Sequence, residues 1–75
     1  MRDTVGEVMH RLFGAYDYVV FKDQYRSAIR KWDKVTPMME ARKCRSYKLV
    51  DGMKMSELTE VPSDRMSSVY LVFEF

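Results

Sequence analysis

Apolar residues between positions 4 and 13 recur with the spacing of one helical face. Five positions make up this face: Val5, Val8, Met9, Leu12 and Phe13. At about 3.6 residues per turn they form a single stripe, which predicts an amphipathic helix with this stripe in the core. Thr4 can cap its N-terminus, Glu7 three residues later completes a capping box, and Gly14 can supply a left-handed stop. The pattern therefore predicts a helix from Thr4 to Phe13.

Two later segments have the composition of strands. The first, Tyr16 to Lys22, is aromatic or β-branched at nearly every position, with apolar side chains at both odd and even positions. This pattern predicts a central strand that is covered on both faces. The second, SVYLVFEF from Ser68, has apolar residues at every other position. We expect this segment to be a strand held inside the sheet.

The segment between these strands is ambiguous up to Pro37. Its larger apolar residues follow helical spacing, and they are Tyr25, Ala28, Ile29 and Trp32. Strand alternation explains them less well, so we predict a helix over residues 24–35, with Asp23 as a candidate N-cap. Pro37 disfavours helix at Thr36 but can open a new short helix over residues 38–44, with Thr36 as its cap.

Residues 45–50 are predicted to form a strand, and Asp51-Gly52 is a hairpin-turn signal that leads into a strand over residues 53–55. Residues 56–64 are polar and predict a loop with at most one helical turn. The complete pattern indicates one domain, residues 1–75, of the α+β class. We expect a small antiparallel sheet of three to four strands packed against one or two helices.

Composition is consistent with a compact domain. The 75 residues are 47% hydrophobic, and no run approaches the roughly 18 to 20 apolar residues of a membrane span. Because the first ten residues lack the apolar core of a signal peptide and Cys44 is the single cysteine, we expect a protein of a reducing cytoplasm without membrane partners. A homodimer stays open as an alternative, because a core this small gains from further burial.

Charge is distributed unevenly along the sequence. Residues 22–48 contain nine of the thirteen Lys and Arg against three acidic residues, a net charge of +6. Residues 49–75 contain two cations and five acidic residues, a net charge of −3. If this polarity survives folding, the protein has a basic face and an acidic face.

Catalysis finds little support in the residue types. A Cys44 nucleophile would need a base, and the only histidine, His10, is expected to be a solvated residue of the first helix. The sequence has no Cys/His cluster, no calcium-loop spacing of acidic residues and no glycine-rich phosphate loop. We therefore predict a protein that is not an enzyme, with no cofactor and no metal.

Binding of a macromolecule is better supported. The candidate contacts are eight cations of the basic segment: Arg26, Arg30, Lys31, Lys34, Arg42, Lys43, Arg45 and Lys48. With Tyr25, Trp32 and Tyr47 among them, they could hold phosphates and stack bases. The same residue types, with seven methionines, are common in protein interfaces. A simpler alternative is that the cations only solvate a helix while Tyr25 and Trp32 lie in the core.

Two segments show a resemblance to known proteins. TVGEVMHRLFGAYDYVVFKD, residues 4–23, resembles the opening of short proteins encoded by phages and prophages of Gram-positive bacteria, and SVYLVFEF is similar to their closing strand. The middle of the chain departs from this pattern, so no site residue is carried over. The resemblance implies an accessory factor that binds a host protein, such as an anti-CRISPR inhibitor of a CRISPR effector or of another defence nuclease.

Many such inhibitors mimic DNA with acidic surfaces, and the basic middle segment of this chain argues against that route. A cationic inhibitor would instead meet an acidic protein surface or a nucleic acid held by its target. The leading hypothesis is thus a non-enzymatic accessory protein that binds a host macromolecule. The alternative hypothesis is a small basic domain that binds DNA or RNA directly.

Overall fold

A four-stranded sheet with helices on both faces forms the framework of the molecule. The computed structural model describes residues 3–23, 27–58 and 61–75. Along these residues the elements follow in the order α1 (Val5–Arg11), β1 (Tyr18–Lys22), β2 (Ser27–Lys31), a 3-10 helix (Trp32–Lys34), α2 (Pro37–Glu40), β3 (Ser46–Asp51), α3 (Gly52–Leu58), a second 3-10 helix (Ser63–Arg65) and β4 (Val69–Glu74). The α+β class is confirmed.

Both helix starts inferred from capping residues are confirmed. The Thr4 hydroxyl accepts a hydrogen bond from the backbone N–H of Glu7 at 3.2 Å, and α1 begins at Val5. The Thr36 hydroxyl accepts one from the N–H of Met39 at 3.3 Å, with Pro37 as the first residue of α2. Each hydroxyl satisfies a donor that has no partner within its own helix.

The sheet is mixed rather than fully antiparallel. Its strand order is β2-β1-β4-β3, so β4 lies inside the sheet as predicted. The outer pairs, β1 with β2 and β3 with β4, are antiparallel, but the central pair, β1 with β4, is parallel. The expectation of an antiparallel sheet is therefore wrong for its central pair. Parallel pairing needs a long connection, and β2, α2, β3 and α3 supply one between β1 and β4.

The two central strands are buried on both faces, as the composition of β1 predicted; for β4 the alternating pattern had predicted only a place inside the sheet. On the front face, α1 and α2 cover a core cluster that includes Val19, Phe21, Leu71 and Phe73. On the back face, α3 contributes Met55 to a second cluster, which includes Val20, Val50, Tyr70 and Val72. Successive residues of β1 and β4 thus alternate between two cores.

The helix predicted over residues 24–35 is wrong for its described part. Residues 27–31 form β2, an outer strand, and a 3-10 helix follows at Trp32–Lys34. Ile29 lies opposite Val20 in the ladder, where it packs on the back-face cluster, and Ala28 lies opposite Phe21. Pairing with β1 satisfies backbone groups that would otherwise lie at the edge of a buried strand, and this outweighs the helical spacing.

The hairpin predicted at Asp51-Gly52 is also wrong. Gly52 begins α3, and the Asp51 carboxylate accepts a hydrogen bond from the Lys54 N–H at 2.8 Å. Asp51 thus caps a helix where the sequence predicted a turn into a third strand over residues 53–55. Aspartate favours both N-caps and turns, so the local pattern did not separate the two outcomes.

No helix within the described ranges combines the length and the apolar character that crossing a membrane requires.

Candidate functional site

Seven of the eight candidate cations fall within the described residues, and all seven are exposed. The eighth, Arg26, lies outside the described residues, as does Tyr25. The seven occur in three places rather than on one helical face. Arg30, Lys31 and Lys34 lie on β2 and the 3-10 helix after it, and we call them the β2 cations. Arg42, Lys43 and Arg45 follow α2, and we call them the loop cations. Lys48 lies on β3.

The β2 cations do not share one face of the sheet. Arg30 lies opposite Val19, a front-face residue, whereas Lys31 lies opposite Tyr18, which packs on the back face. Residues directly opposite in an antiparallel pair project on the same side, so the two charges point to different sides of β2. One Arg30 nitrogen donates to the carbonyl oxygen of Ile29 at 3.1 Å. The β2 cations thus surround an exposed edge rather than lining a groove.

The loop cations are held close to the end of β4. The Arg42 guanidinium carbon lies 3.9 Å from the centroid of the Phe75 ring, a cation–π contact. Arg45 forms an exposed ion pair with Glu74 at 3.5 Å. Such pairs contribute roughly 0–1 kcal/mol, so this one limits the net charge of the loop more than it stabilises the fold. Glu74 comes from the acidic segment, so the charge separation seen along the sequence is not kept here.

Lys48 is separated from the β2 cations by the full width of the sheet. β2 and β3 are its two outer strands, three strand spacings apart. At roughly 4.8 Å per spacing this is about 14 Å. The sequence predicted that these cations share one basic face. The seven described cations do not form one continuous patch.

Sequence reasoning missed an aromatic cleft beside the β2 cations. Its volume is about 250 Å³, and we call it the aromatic cleft; its lining residues are Phe13, Gly14, Tyr16, Asp17 and Trp32. The rings of Phe13 and Trp32 meet edge to face, with centroids 6.1 Å apart. Phe13 is 74% exposed and Trp32 is 45% exposed. Phe13 was assigned to the core face of the first helix, and that assignment is wrong; for Trp32, the alternative that placed it in the core is wrong.

Backbone contacts assemble the cleft. α1 ends at Arg11, so Phe13 leaves the helical stripe, and Gly14 adopts a φ of 88° that turns the chain toward β1. The Trp32 N–H donates to the carbonyl oxygen of Asp17 at 3.1 Å, which holds Trp32 next to the residue that precedes β1. The only local signal for this cleft is the sequence KWDK, in which a tryptophan stands among charged residues.

Tyr16 and Asp17 are two of the residues that line the cleft. Tyr16 is buried, and its hydroxyl donates to the carbonyl oxygen of Met9 at 3.3 Å. Burial raises the pKa of this hydroxyl, and the nearby Glu40 carboxylate raises it further. The Asp17 carboxylate is exposed and accepts a hydrogen bond from the backbone N–H of Val69 at 3.0 Å.

Cys44 is a core residue rather than an exposed nucleophile. It is 3% exposed, and its thiol lies 3.4 Å from the carbonyl oxygen of Asp3. Burial raises the pKa of the thiol, which disfavours the nucleophilic thiolate. His10, the base that a Cys44 nucleophile would need, is exposed on α1 and precedes Cys44 by 34 positions in the sequence. Within the described ranges, no three Cys, His, Asp or Glu side chains gather as they would around a metal ion.

The two methionines of α2 divide between core and surface. Met39 packs against the front-face cluster, whereas Met38 is 83% exposed. Met39 and Cys44 therefore belong to the same core, and Met38 faces solvent. Met38 is thus an exposed apolar side chain, as Phe13 and Trp32 are on other elements.

No protein-family model, curated protein or solved structure matches this chain.

Proposed function

We propose that this chain is a non-enzymatic accessory protein of phage type that binds a host protein in the bacterial cytoplasm and inhibits a defence nuclease. The observation that carries the proposal is the exposed Phe13–Trp32 pair beside the β2 cations. Tryptophan and arginine are over-represented among the residues that dominate binding energy in interfaces. The resemblance of residues 4–23 and 68–75 to small phage proteins supports the phage origin.

The form of the described surface supports binding rather than catalysis. Large aromatic side chains are exposed next to cations, and the one described thiol is buried with a raised pKa. An acidic surface on a partner would match the charges of Arg30, Lys31 and Lys34. Such complementarity raises the rate of association and sets the orientation of the partner.

Affinity capture from bacterial lysate tests the proposal. The tagged protein should retain one large host protein after nuclease treatment. The double charge reversal Arg30→Glu and Lys31→Glu should weaken this capture at least tenfold, whereas Lys54→Glu, an exposed change on α3, should not. Substitutions at exposed positions usually change stability by less than about 0.5 kcal/mol, and circular dichroism of each variant checks this.

A second assay tests inhibition itself. If the captured protein is a nuclease, an equimolar amount of this protein should slow its cleavage of DNA, and the charge-reversed variant should restore cleavage. Loss of all captured partners after nuclease treatment would contradict the proposal. Equal capture by the charge-reversed variant would remove the β2 cations from the interface.

Direct nucleic-acid binding is a second candidate, favoured by one observation. Trp32 is partly exposed, and Lys31 and Lys34 lie within two residues of it, so a base could stack while the lysines bind phosphates. Fluorescence anisotropy with labelled single strands and duplexes tests this directly. With two phosphate contacts, the slope of log K against log salt for single strands should be about −1.4. A protein that inhibits through protein contacts should leave free nucleic acid unbound.

A further inference from the structure

The aromatic cleft has the size of a site for one side chain. Its volume of about 250 Å³ lies below the roughly 300–1,000 Å³ of sites for drug-sized ligands. Phe13, Tyr16 and Trp32 supply its apolar walls, and two of these rings are already held in contact with each other. A flat group that enters the cleft would therefore meet aromatic surfaces with little rearrangement.

The electrostatics of the cleft favour a cation. Aromatic faces carry partial negative charge and attract cations within about 6 Å. The Asp17 carboxylate adds a full negative charge, and among the described residues it accepts only the backbone hydrogen bond from Val69 and forms no ion pair. An aromatic cleft with a carboxylate that lacks a cationic partner is matched by a ligand that has a flat surface and a positive charge.

The neighbouring cations do not fill this role. Lys31 precedes Trp32 but projects toward the back face of the sheet, while Tyr16 belongs to the front-face cluster. Arg30 projects to the front, where one of its nitrogens donates to the carbonyl oxygen of Ile29, and it is not among the residues that line the cleft. Arg65 places its guanidinium carbon 5.0 Å from the centroid of the Tyr18 ring, on the back-face cluster. Among the described residues no cation forms an ion pair with Asp17, so a cation on a partner would be the first to do so.

We propose that the aromatic cleft binds the guanidinium group of an arginine side chain on the partner protein. Guanidinium is planar, stacks on aromatic rings and presents several donors to a carboxylate, so it satisfies the walls and Asp17 at once. An ammonium group offers the charge without the flat stacking surface. This inference rests on the proposed function only for the source of the arginine, because the chemistry of the cleft can be tested alone.

Trp32 reports directly on the cleft, since it is the only tryptophan in the chain. The probe is an acetylated, amidated tripeptide with arginine between two glycines, titrated against the full chain while Trp32 fluorescence is followed. The matched control peptide replaces arginine by citrulline, which keeps the shape and removes the charge. We expect saturable binding of the arginine peptide that is at least tenfold tighter than that of the citrulline peptide.

Two variants locate the binding. Asp17→Asn keeps an oxygen that can accept the Val69 hydrogen bond, so the fold is retained while the preference for arginine over citrulline falls to less than threefold. Phe13→Ala removes a side chain that is 74% exposed and should weaken both peptides. Equal binding of the two peptides to the wild-type chain, or an unchanged preference in Asp17→Asn, would overturn the inference. Quenching by a thymidine oligonucleotide with no response to the arginine peptide would also overturn it, in favour of base stacking.

Affinity capture separates this inference from the proposed function. If the host protein is retained equally by wild type and Asp17→Asn, the arginine contact is refuted while the proposed function stands. If no host protein is retained after nuclease treatment, the proposed function fails, and the peptide titration still decides the chemistry of the cleft. Capture that falls at least tenfold in Asp17→Asn supports both.

Discussion

Replacement of Gly52 by alanine tests the start of α3. Gly52 is buried and is the first residue of the helix, and its N–H donates to the carbonyl oxygen of Ser68 at 2.8 Å. A Cβ atom built at this position would overlap the backbone carbonyl of Met66 and would lie 2.7 Å from the carbonyl oxygen of Arg65. Because the obstructing atoms are backbone atoms, no side-chain rotation relieves the clash.

Two opposing effects determine the magnitude. Inserting a methyl group into a packed site costs about 1–3 kcal/mol. Alanine is favoured over glycine in a helix by at most about 1 kcal/mol, and by less at the first residue. The steric term is the larger, so we expect Gly52→Ala to lower the free energy of unfolding by about 1–2 kcal/mol. For a domain of this size, that corresponds to a fall in Tm of roughly 4–16 °C.

The assay is urea and thermal unfolding followed by circular dichroism, with Gly14 as the matched control. Gly14 has a φ of 88° and open space around its Cβ position. Gly14→Ala should therefore cost about 1 kcal/mol through backbone strain, and Gly14→Asn should cost less because asparagine tolerates this conformation. At position 52, asparagine should be at least as destabilising as alanine, because the obstacle is steric.

Either of two results would refute this reasoning. Unchanged or increased stability of Gly52→Ala would mean that helix propensity outweighs the steric clash. Rescue by Gly52→Asn would mean that the residue needs a left-handed conformation, as in the hairpin turn that the sequence predicted.

Two further predictions concern buried polar groups. Because the pKa of Tyr16 is raised on folding, the folded state keeps its proton longer, so stability should fall as pH rises above about 10, the usual pKa of tyrosine. Tyr16→Phe removes this hydrogen bond, so its free energy of unfolding at pH 8 should be about 1 kcal/mol lower than that of the wild type. Between pH 8 and pH 11 the urea midpoint of the variant should fall less steeply than that of the wild type, and parallel declines would contradict this. The Cys44 thiol should react with an aromatic disulfide reagent at pH 8 at least tenfold more slowly in the native protein than in urea, and equal rates would show that it is accessible.

The best sequence predictions concerned features that are set by neighbouring residues. The caps at Thr4 and Thr36 act within one turn of the chain, and both form as predicted. The strands β1 and β4 were also predicted, β1 from a run of aromatic and β-branched residues at both parities and β4 from apolar residues at every other position. The exposure of the described cations follows directly from the cost of burying charge.

Predictions failed where one local pattern was compatible with two structures. Ala28, Ile29 and Trp32 fit a helix, but β1 needed a hydrogen-bonded neighbour, and residues 27–31 supply it. Asp51-Gly52 fits a turn or a helix start, and the close approach of Met66 to Gly52 decided for the helix. In both cases the deciding contact comes from a part of the chain that local periodicity does not include.

Residue patterns along the chain were enough to predict the α+β class, the helix caps, the central strands and the exposure of the described cations. The parallel pairing of β1 with β4, the separation of the cations across the sheet and the aromatic cleft depend on long-range packing. The first set depends on backbone preference and burial of individual segments. The second set depends on which distant segments pack together, as Phe13 and Trp32 do across nineteen positions, and the free energy of such contacts is not encoded in any local pattern.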